Sequence, residues 1–406
     1  MTEHVDLMRR LLAVGLGATL TIGLLTSSSG AQTPGGWIGT WAASPATGVP
    51  NTENGYPNFS IRNVVHTSVG GGVVRVRLSN AFGTKPLQFG QVTVAVAAEP
   101  NSPRAVPGSM RTLRFGGSQT VTVPPGAEVL TDPAVLRVPE DTDLLVTTYV
   151  PTPSGPVTYH PTAVQTSFFT RAGNFTTDET GTPYNERTNV WHYVSGVDVQ
   201  GSPATASVVT LGDSITDGFG STVGANRRWP DVLADRLKAG QRRLGVLNAG
   251  ISGNRLLLDG TDFGRNALAR LDEDVLSLGG VRTMIVLEGI NDIQQTPHQT
   301  DPQQIISAYR QIIAQAKARG IRVLGGTLTP FKGWRVWNET LEATRQAVNT
   351  FIRTGGAFDG VIDFDAAVRD TQDPLRMRPE FDTGDHLHPN DAGLRAMGEA
   401  VPLALL

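Results

Sequence analysis

Val208-Val209-Thr210-Leu211-Gly212-Asp213-Ser214-Ile215-Thr216-Asp217-Gly218 is a run of β-branched and apolar residues that ends in a Gly-Asp-Ser turn. A short apolar run bounded by a turn signal reads as a buried strand. This one delivers a serine to its C-terminal tip. Open α/β sheets bind ligands at the carboxyl ends of their strands, so Ser214 stands where chemistry is expected. Gly-Asp-Ser also serves simply to turn a chain, and the partners found downstream decide between the two.

From Ser207 onward, strands and helices alternate. Trp229 to Ala239 reads as a helix, with Pro230 in its first turn and Gly240 after its end. Leu244 to Leu247 is a short strand leading into Asn248-Ala249-Gly250. Met284 to Leu287 is another, leading into Glu288-Gly289-Ile290-Asn291-Asp292. Asp301-Pro302 opens a helix with Ile305, Ile306, Tyr309, Ile312, Ile313 and Ala316 on its apolar face, and Gly320 stops it. A strand from Ile321 to Leu324, a helix from about Asn338 to Arg353, a strand from Val361 to Phe364 and a final helix from Asp391 complete the pattern. Such alternation implies a parallel sheet with helices on both faces.

Residues 32 to 200 have a different texture. Val74-Arg75-Val76-Arg77-Leu78, Val92 to Val96, Leu144 to Val150 and Val190 to Val194 are short and alternating or apolar. Gly70-Gly71-Gly72, Pro124-Pro125-Gly126 and Pro153-Ser154-Gly155 punctuate them. Short strands with regular turns predict an antiparallel β-sandwich or jelly roll. Gly201-Ser202-Pro203-Ala204 reads as the linker, which gives a β-domain over 32–200 and an α/β domain over 201–406.

The first 31 residues read as an export signal: Arg9-Arg10, an apolar stretch from Leu11 to Thr26, and small residues Ser29-Gly30-Ala31 before Gln32. Arg9-Arg10 hints at the twin-arginine route, and Met8 is an alternative start. The apolar stretch is short for a membrane span, so a secreted protein with no stable span after cleavage is expected. Formal net charge is −3, from 34 basic and 37 acidic residues, which gives no electrostatic footprint for nucleic acid. With no cysteine, the chain has no disulfide, thiolate metal site or cysteine nucleophile.

A serine nucleophile needs a base, a group that orients the base, and donors for the developing oxyanion. Asp382-Thr383-Gly384-Asp385-His386-Leu387-His388-Pro389-Asn390 offers the base. Asp385 and His388 are three apart, so a tight turn can bring carboxylate to imidazole. His386 is an alternative base and Asp382 an alternative acid. A metal site is a third reading of the same residues, but it needs further ligands and none stands out. His298, in a polar loop, is a weaker rival. His66, His160 and His192 lie in the β region and read as packed or surface residues. Donors come from Asn248-Ala249-Gly250-Ile251-Ser252-Gly253-Asn254, a glycine-rich loop, and from the Asn291 amide.

These four segments resemble the sequence blocks of the GDSL or SGNH hydrolase superfamily: Gly212-Asp213-Ser214, Ile251-Ser252-Gly253-Asn254, Gly289-Ile290-Asn291-Asp292 and Asp385-His386-Leu387-His388-Pro389, in that order. The resemblance covers about residues 205 to 406. It implies a flavodoxin-like parallel sheet, Ser214 as nucleophile, Asp385 as orienting acid and His388 as base. It also implies an oxyanion hole from the Ser214 and Gly253 N–H groups and the Asn291 side chain. It favours His388 over His386. The first block reads Gly-Asp-Ser-Ile where the family name has Leu, a change of packing and not of chemistry. No cofactor or metal is implied.

The expected activity is hydrolysis of a small-molecule or polymer-borne carboxylic ester through an acyl-enzyme. A β-sandwich before such a domain is similar in outline to a family of two-domain carbohydrate acetylesterases, so deacetylation of a polysaccharide is one alternative. A non-catalytic glycan-binding protein with a degenerate hydrolase domain is another. Trp334 and Trp337 follow a strand end and are candidates for a substrate wall. Trp37 and Trp41 read as residues of the first strand's core.

Overall fold

Every residue of the strand Ala206–Gly212 is buried, as a strand covered on both faces requires. It pairs in parallel with Leu244–Gly250 on one side and Val281–Leu287 on the other. Arg322–Gly326 and then Gly360–Ile362 continue outward from the latter. In chain order the sheet reads second, first, third, fourth, fifth, the flavodoxin-like arrangement whose order reverses beside the first strand. The computed structural model describes residues 36–406. The export signal expected over residues 1–31 lies outside them.

The helices fall into two groups. Trp229–Ala239 packs on Asp391–Ala400, and Pro302–Ala318 packs on Glu339–Thr354 and on the short helix Ala267–Leu271. The first crossover runs one way along the sheet and the next three run the other way. Right-handed connections therefore put the two groups on opposite faces. The helix starts follow from local chemistry. Asp301 accepts the Gln303 N–H, Asn338 the Leu341 N–H, and Asn390 the N–H groups of Ala392 and Gly393, which satisfies donors the helix itself cannot. The second strand runs three residues beyond the expected Leu244–Leu247, because Gly250 stays in register with Gly212.

The antiparallel part has two main sheets. Gly71–Ser79 lies between Val194–Gln200 and Ala134–Val138, and Ile38–Ala42 flanks Val194–Gln200. In the other sheet Thr142–Val150 lies between Phe59–Thr67 and Gln91–Val96. Alternation sets the faces. Val74, Val76 and Leu78 are buried in a core shared with Ile61, Val65, Val92, Val94, Leu144 and Val146. Arg75 and Arg77 point the other way, to Asp198 and Glu128. Val190 to Val194 is not one strand as expected. Tyr193 takes left-handed backbone, φ 63, and splits it into Trp191–His192 and Val194–Gln200, which belong to different sheets.

Between Gln200 and Ala206, where the sequence suggests a linker, Ala204 is buried in the antiparallel core. The two architectures are tied together elsewhere as well. Gly39 donates to Gly279 O, Val246 N–H donates to Ser68 Oγ at 2.9 Å, and Ser207 Oγ donates to Gly39 O. A Cβ on Gly245 would lie 2.1 Å from Gly39 O, so only glycine lets these backbones meet.

Candidate active site

The serine turn is built by small residues and caps. A Cβ at Gly212 would meet Thr216 Oγ1 at 2.2 Å and Leu287 O at 2.5 Å. Asp213 accepts the Ile215 N–H and so caps the single helical turn Ser214–Asp217, and Gly218 ends it in left-handed backbone. Ser214 is 6% exposed at the tip of the first strand.

The histidine loop is closed by Asn390, whose Nδ2 donates to the carbonyls of Glu380 and Asp382. Thr383 N–H donates to His388 O. In that closed loop Asp385 Oδ1 accepts the N–H groups of Leu387 and His388, and Oδ2 lies 2.7 Å from His388 Nδ1. His388 Nε2 is 2.9 Å from Ser214 Oγ. Burial pushes the Asp385 carboxyl up, but the His388 ring and the two N–H donors outweigh it and hold it well below the usual carboxylate range. An ionised carboxylate only accepts, so Nδ1 carries the proton and Nε2 is left to accept from the serine hydroxyl.

His386 belongs to a second pair. Its Nδ1 is 2.6 Å from Asp382 Oδ2, its backbone is left-handed, and its ring lies against Gly333. The four residues of this loop thus divide into two acid–imidazole pairs, and His388 is the one joined to Ser214. Among the described residues no group of three or more acidic or imidazole side chains is arranged to hold a metal ion. His298 bonds the Ile293 carbonyl and is not joined to the serine.

The donors flank Ser214 from the neighbouring strands, as the sheet order dictates. Gly253 follows the second strand in left-handed backbone, φ 80, with the Phe263 ring where a side chain would be. Among the described residues, neither its N–H nor that of Ser214 has a partner. Asn291 follows the third strand. Its Nδ2 donates to Asn254 O at 2.9 Å and its Oδ1 accepts from Gln294 Nε2 at 2.7 Å. Gln294 in turn accepts from Trp334 Nε1. One Asn291 N–H is therefore used to orient the amide, and the amide group carries a second.

Beneath the tips lies a buried polar floor that motif reading missed. Arg270, 2% exposed, donates to Gly212 O, Ala249 O and Asn254 Oδ1 and pairs with Asp274. It thereby clamps the first two strand tips to the glycine loop. The signal was an arginine inside the apolar stripe Ala267-Leu268-Ala269-Arg270-Leu271. Asp292 accepts the N–H groups of Leu256 and Leu257, and burial raises its pKa to about 6. Burial raises Asp213 to about 7, against the Ile215 N–H and the His388 ring, and burial and the Asp213 charge also hold Glu288 well above the usual carboxylate range.

The rim is aromatic. Phe219, 44% exposed, packs 4.5 Å from the His388 ring, and Trp334 meets the same ring edge-on at 6.2 Å. Phe263 and Leu258 are exposed beside the glycine loop. Trp337 also packs against the core, with Lys332 over its ring, and among the described residues it has no ring contact to His388.

Residues 210–396 match the model of the GDSL-like lipase/acylhydrolase family. This segment of the chain is a GDSL-like lipase/acylhydrolase domain, and it contains all four blocks. No curated protein matches the chain. Solved structures similar to it include a G-D-S-L family protein from Desulfitobacterium hafniense, at 21% identity over 48% of this chain and 97% of that one, with a TM-score of 0.37. A carbohydrate acetylesterase from Sinorhizobium meliloti shares 18% identity over 48% and 95%, with a TM-score of 0.38. An aryl esterase of M. smegmatis shares 19% over 48% and 94%, with a TM-score of 0.39.

Proposed function

We propose that the protein is an exported serine esterase that hydrolyses carboxylic esters through an acyl-enzyme on Ser214. The observation that carries this reading is the line from Ser214 Oγ to His388 Nε2 at 2.9 Å and from His388 Nδ1 to Asp385 Oδ2 at 2.7 Å. His388 takes the serine proton as Oγ attacks the ester carbonyl, then gives it to the leaving alcohol. Asp385, held ionised, orients the imidazole and stabilises it while it is charged. The Ser214 and Gly253 N–H groups and the second Asn291 N–H receive the oxyanion. Water activated by His388 then hydrolyses the acyl-enzyme and frees Ser214. The aromatic rim supports esters whose acyl or alcohol group presents an apolar face.

The test is hydrolysis of p-nitrophenyl acetate, butyrate, octanoate and palmitate by the mature protein beside Ser214→Ala. Activity on one or more esters that disappears in the variant is expected. Equal activity in both proteins would sink the reading. For export, the protein recovered from the medium of a producing host should begin at Gln32 by mass spectrometry; retention of residues 1–31 would refute cleavage there.

A further inference from the structure

His160 ends the three-residue strand Thr158–His160 of the antiparallel part and is 2% exposed. Its Nδ1 lies 2.8 Å from the Ser44 carbonyl oxygen and its Nε2 lies 2.9 Å from Asp217 Oδ1. Both ring nitrogens thus face oxygen acceptors, which suits an imidazolium against a carboxylate. Burial opposes the charge on His160, but Asp217 and the Ser44 carbonyl prevail and raise its pKa. The other oxygen of Asp217, Oδ2, accepts both the N–H and the Oγ–H of Ser252, at 2.8 and 2.7 Å.

The two ends of this arrangement matter. Asp217 is the last residue of the turn that begins with Ser214. Ser252 immediately precedes Gly253, whose N–H faces no other group among the described residues. One carboxylate therefore joins the nucleophile's turn to the loop that offers an oxyanion donor. The contact is tight: a Cβ on Gly250 would lie 2.4 Å from Asp217 N. His160 is itself held by the Trp191 ring, 5.4 Å away.

We propose that His160 is a positioning residue for ester hydrolysis: it fixes Asp217 and, through Ser252, the N–H of Gly253, so that the antiparallel part takes part in oxyanion stabilisation. This rests on the serine-esterase reading above. A group that acts on the oxyanion alone changes kcat and kcat/KM together and leaves KM in place.

The experiment measures kcat and KM on p-nitrophenyl acetate for the wild type, His160→Gln, Ser252→Ala and the double variant, with thermal melts alongside. A displaced donor should cost less than a deleted one, about 10- to 100-fold in kcat, with KM within about twofold. The two residues do not touch, yet they act through one carboxylate. The double variant should therefore be no slower than the worse single one, where independent effects would multiply. His66→Gln is the control. His66 lines the cavity of about 170 Å³ that His160 and Asp217 also line, and it pairs with Asp143 and Asp141 instead, so its kcat should match the wild type. A folded His160→Gln with wild-type kcat, or losses that multiply, overturns the proposal. Should His160→Gln fail to fold, Asp217→Asn replaces it in the same cycle, and an unchanged kcat there overturns the proposal equally. Retained activity in Ser214→Ala would instead overturn the esterase reading itself, which separates the two failures.

Discussion

Asn291 gives one of its two amide N–H groups to the carbonyl of Asn254 at 2.9 Å, across the tips of two strands that are not neighbours in the sheet. That bond points the amide without exhausting it. With Gln294 on its oxygen, the amide cannot rotate to present its carbonyl side to the substrate. On the proposed esterase reading, Asn291→Ala should lower kcat about 10²–10³-fold on every ester substrate. Steady-state kinetics on the folded variant decide it, and an unchanged kcat removes Asn291 from the oxyanion hole.

The two acid–imidazole pairs of the histidine loop invite a direct comparison. His388→Ala should abolish measurable turnover, whereas His386→Ala should retain most of it, since His386 bonds Asp382 and not Ser214. Single-turnover release of p-nitrophenol by the two variants checks this. The reverse result would exchange their roles.

Asp213 makes stability depend on pH. Its pKa rises from 3.8 unfolded to about 7 in the fold, first through burial. A carboxyl raised on folding binds its proton more tightly in the native state. The stability it contributes is complete below about pH 4 and is lost as pH climbs through about 7. Full ionisation would remove on the order of 4 kcal/mol, and Glu288 acts in the same direction. Urea unfolding at pH 5 and pH 8 should show a smaller loss in Asp213→Asn than in the wild type. Asparagine also keeps an oxygen for the Ile215 N–H. Equal losses would contradict the assignment.

Arg270 holds five hydrogen-bond partners in a buried site. Arg270→Met should destabilise the protein by about 3–5 kcal/mol, because Asp274 and two strand-tip carbonyls lose their donor. Denaturant midpoints at constant m-value measure this, and a loss below about 1 kcal/mol would show that the site repacks.

Phe219 covers the His388 ring while remaining 44% exposed. Its Ala variant should raise KM for butyrate and longer esters about 3- to 10-fold, the worth of about a kilocalorie of apolar contact. The rise for acetate should be smaller. A uniform rise across the series would argue that the ring positions His388 and does not touch the acyl chain.

The sheet was legible because its strands advertise themselves. Val208 to Leu211 and Met284 to Leu287 are buried on both faces and are apolar but for Thr210, whose hydroxyl is satisfied by the Leu247 carbonyl. The turns that follow them must carry glycine and hydrogen-bonding side chains. Ser214, His388 and Asp385 come together from segments whose chemistry is local and whose order is recognisable. What sequence could not disclose is pairing over distance. His160 is 57 residues from Asp217 and has no motif around it, so in the sequence it reads only as a packed or surface histidine. Trp334 and Trp337 look equivalent in the string and both pack against the α/β core, yet among the described residues Trp334 is the one whose ring meets His388. That difference depends on which face of a loop the chain exposes, which no period specifies. The split at Tyr193 was hidden for a related reason: a left-handed tyrosine carries no compositional mark.

The glycine-to-glycine contact between Gly39 and Gly245 sets a condition on inheritance and engineering. A side chain at Gly245 would run into the Gly39 carbonyl and wedge the first strand of the antiparallel part away from the second strand of the α/β sheet, while one at Gly39 would press on the Leu247 methyls at 2.7 Å. The seam therefore tolerates little independent drift on its two sides. Grafts should accordingly be cut outside this seam, with both of its glycines carried together.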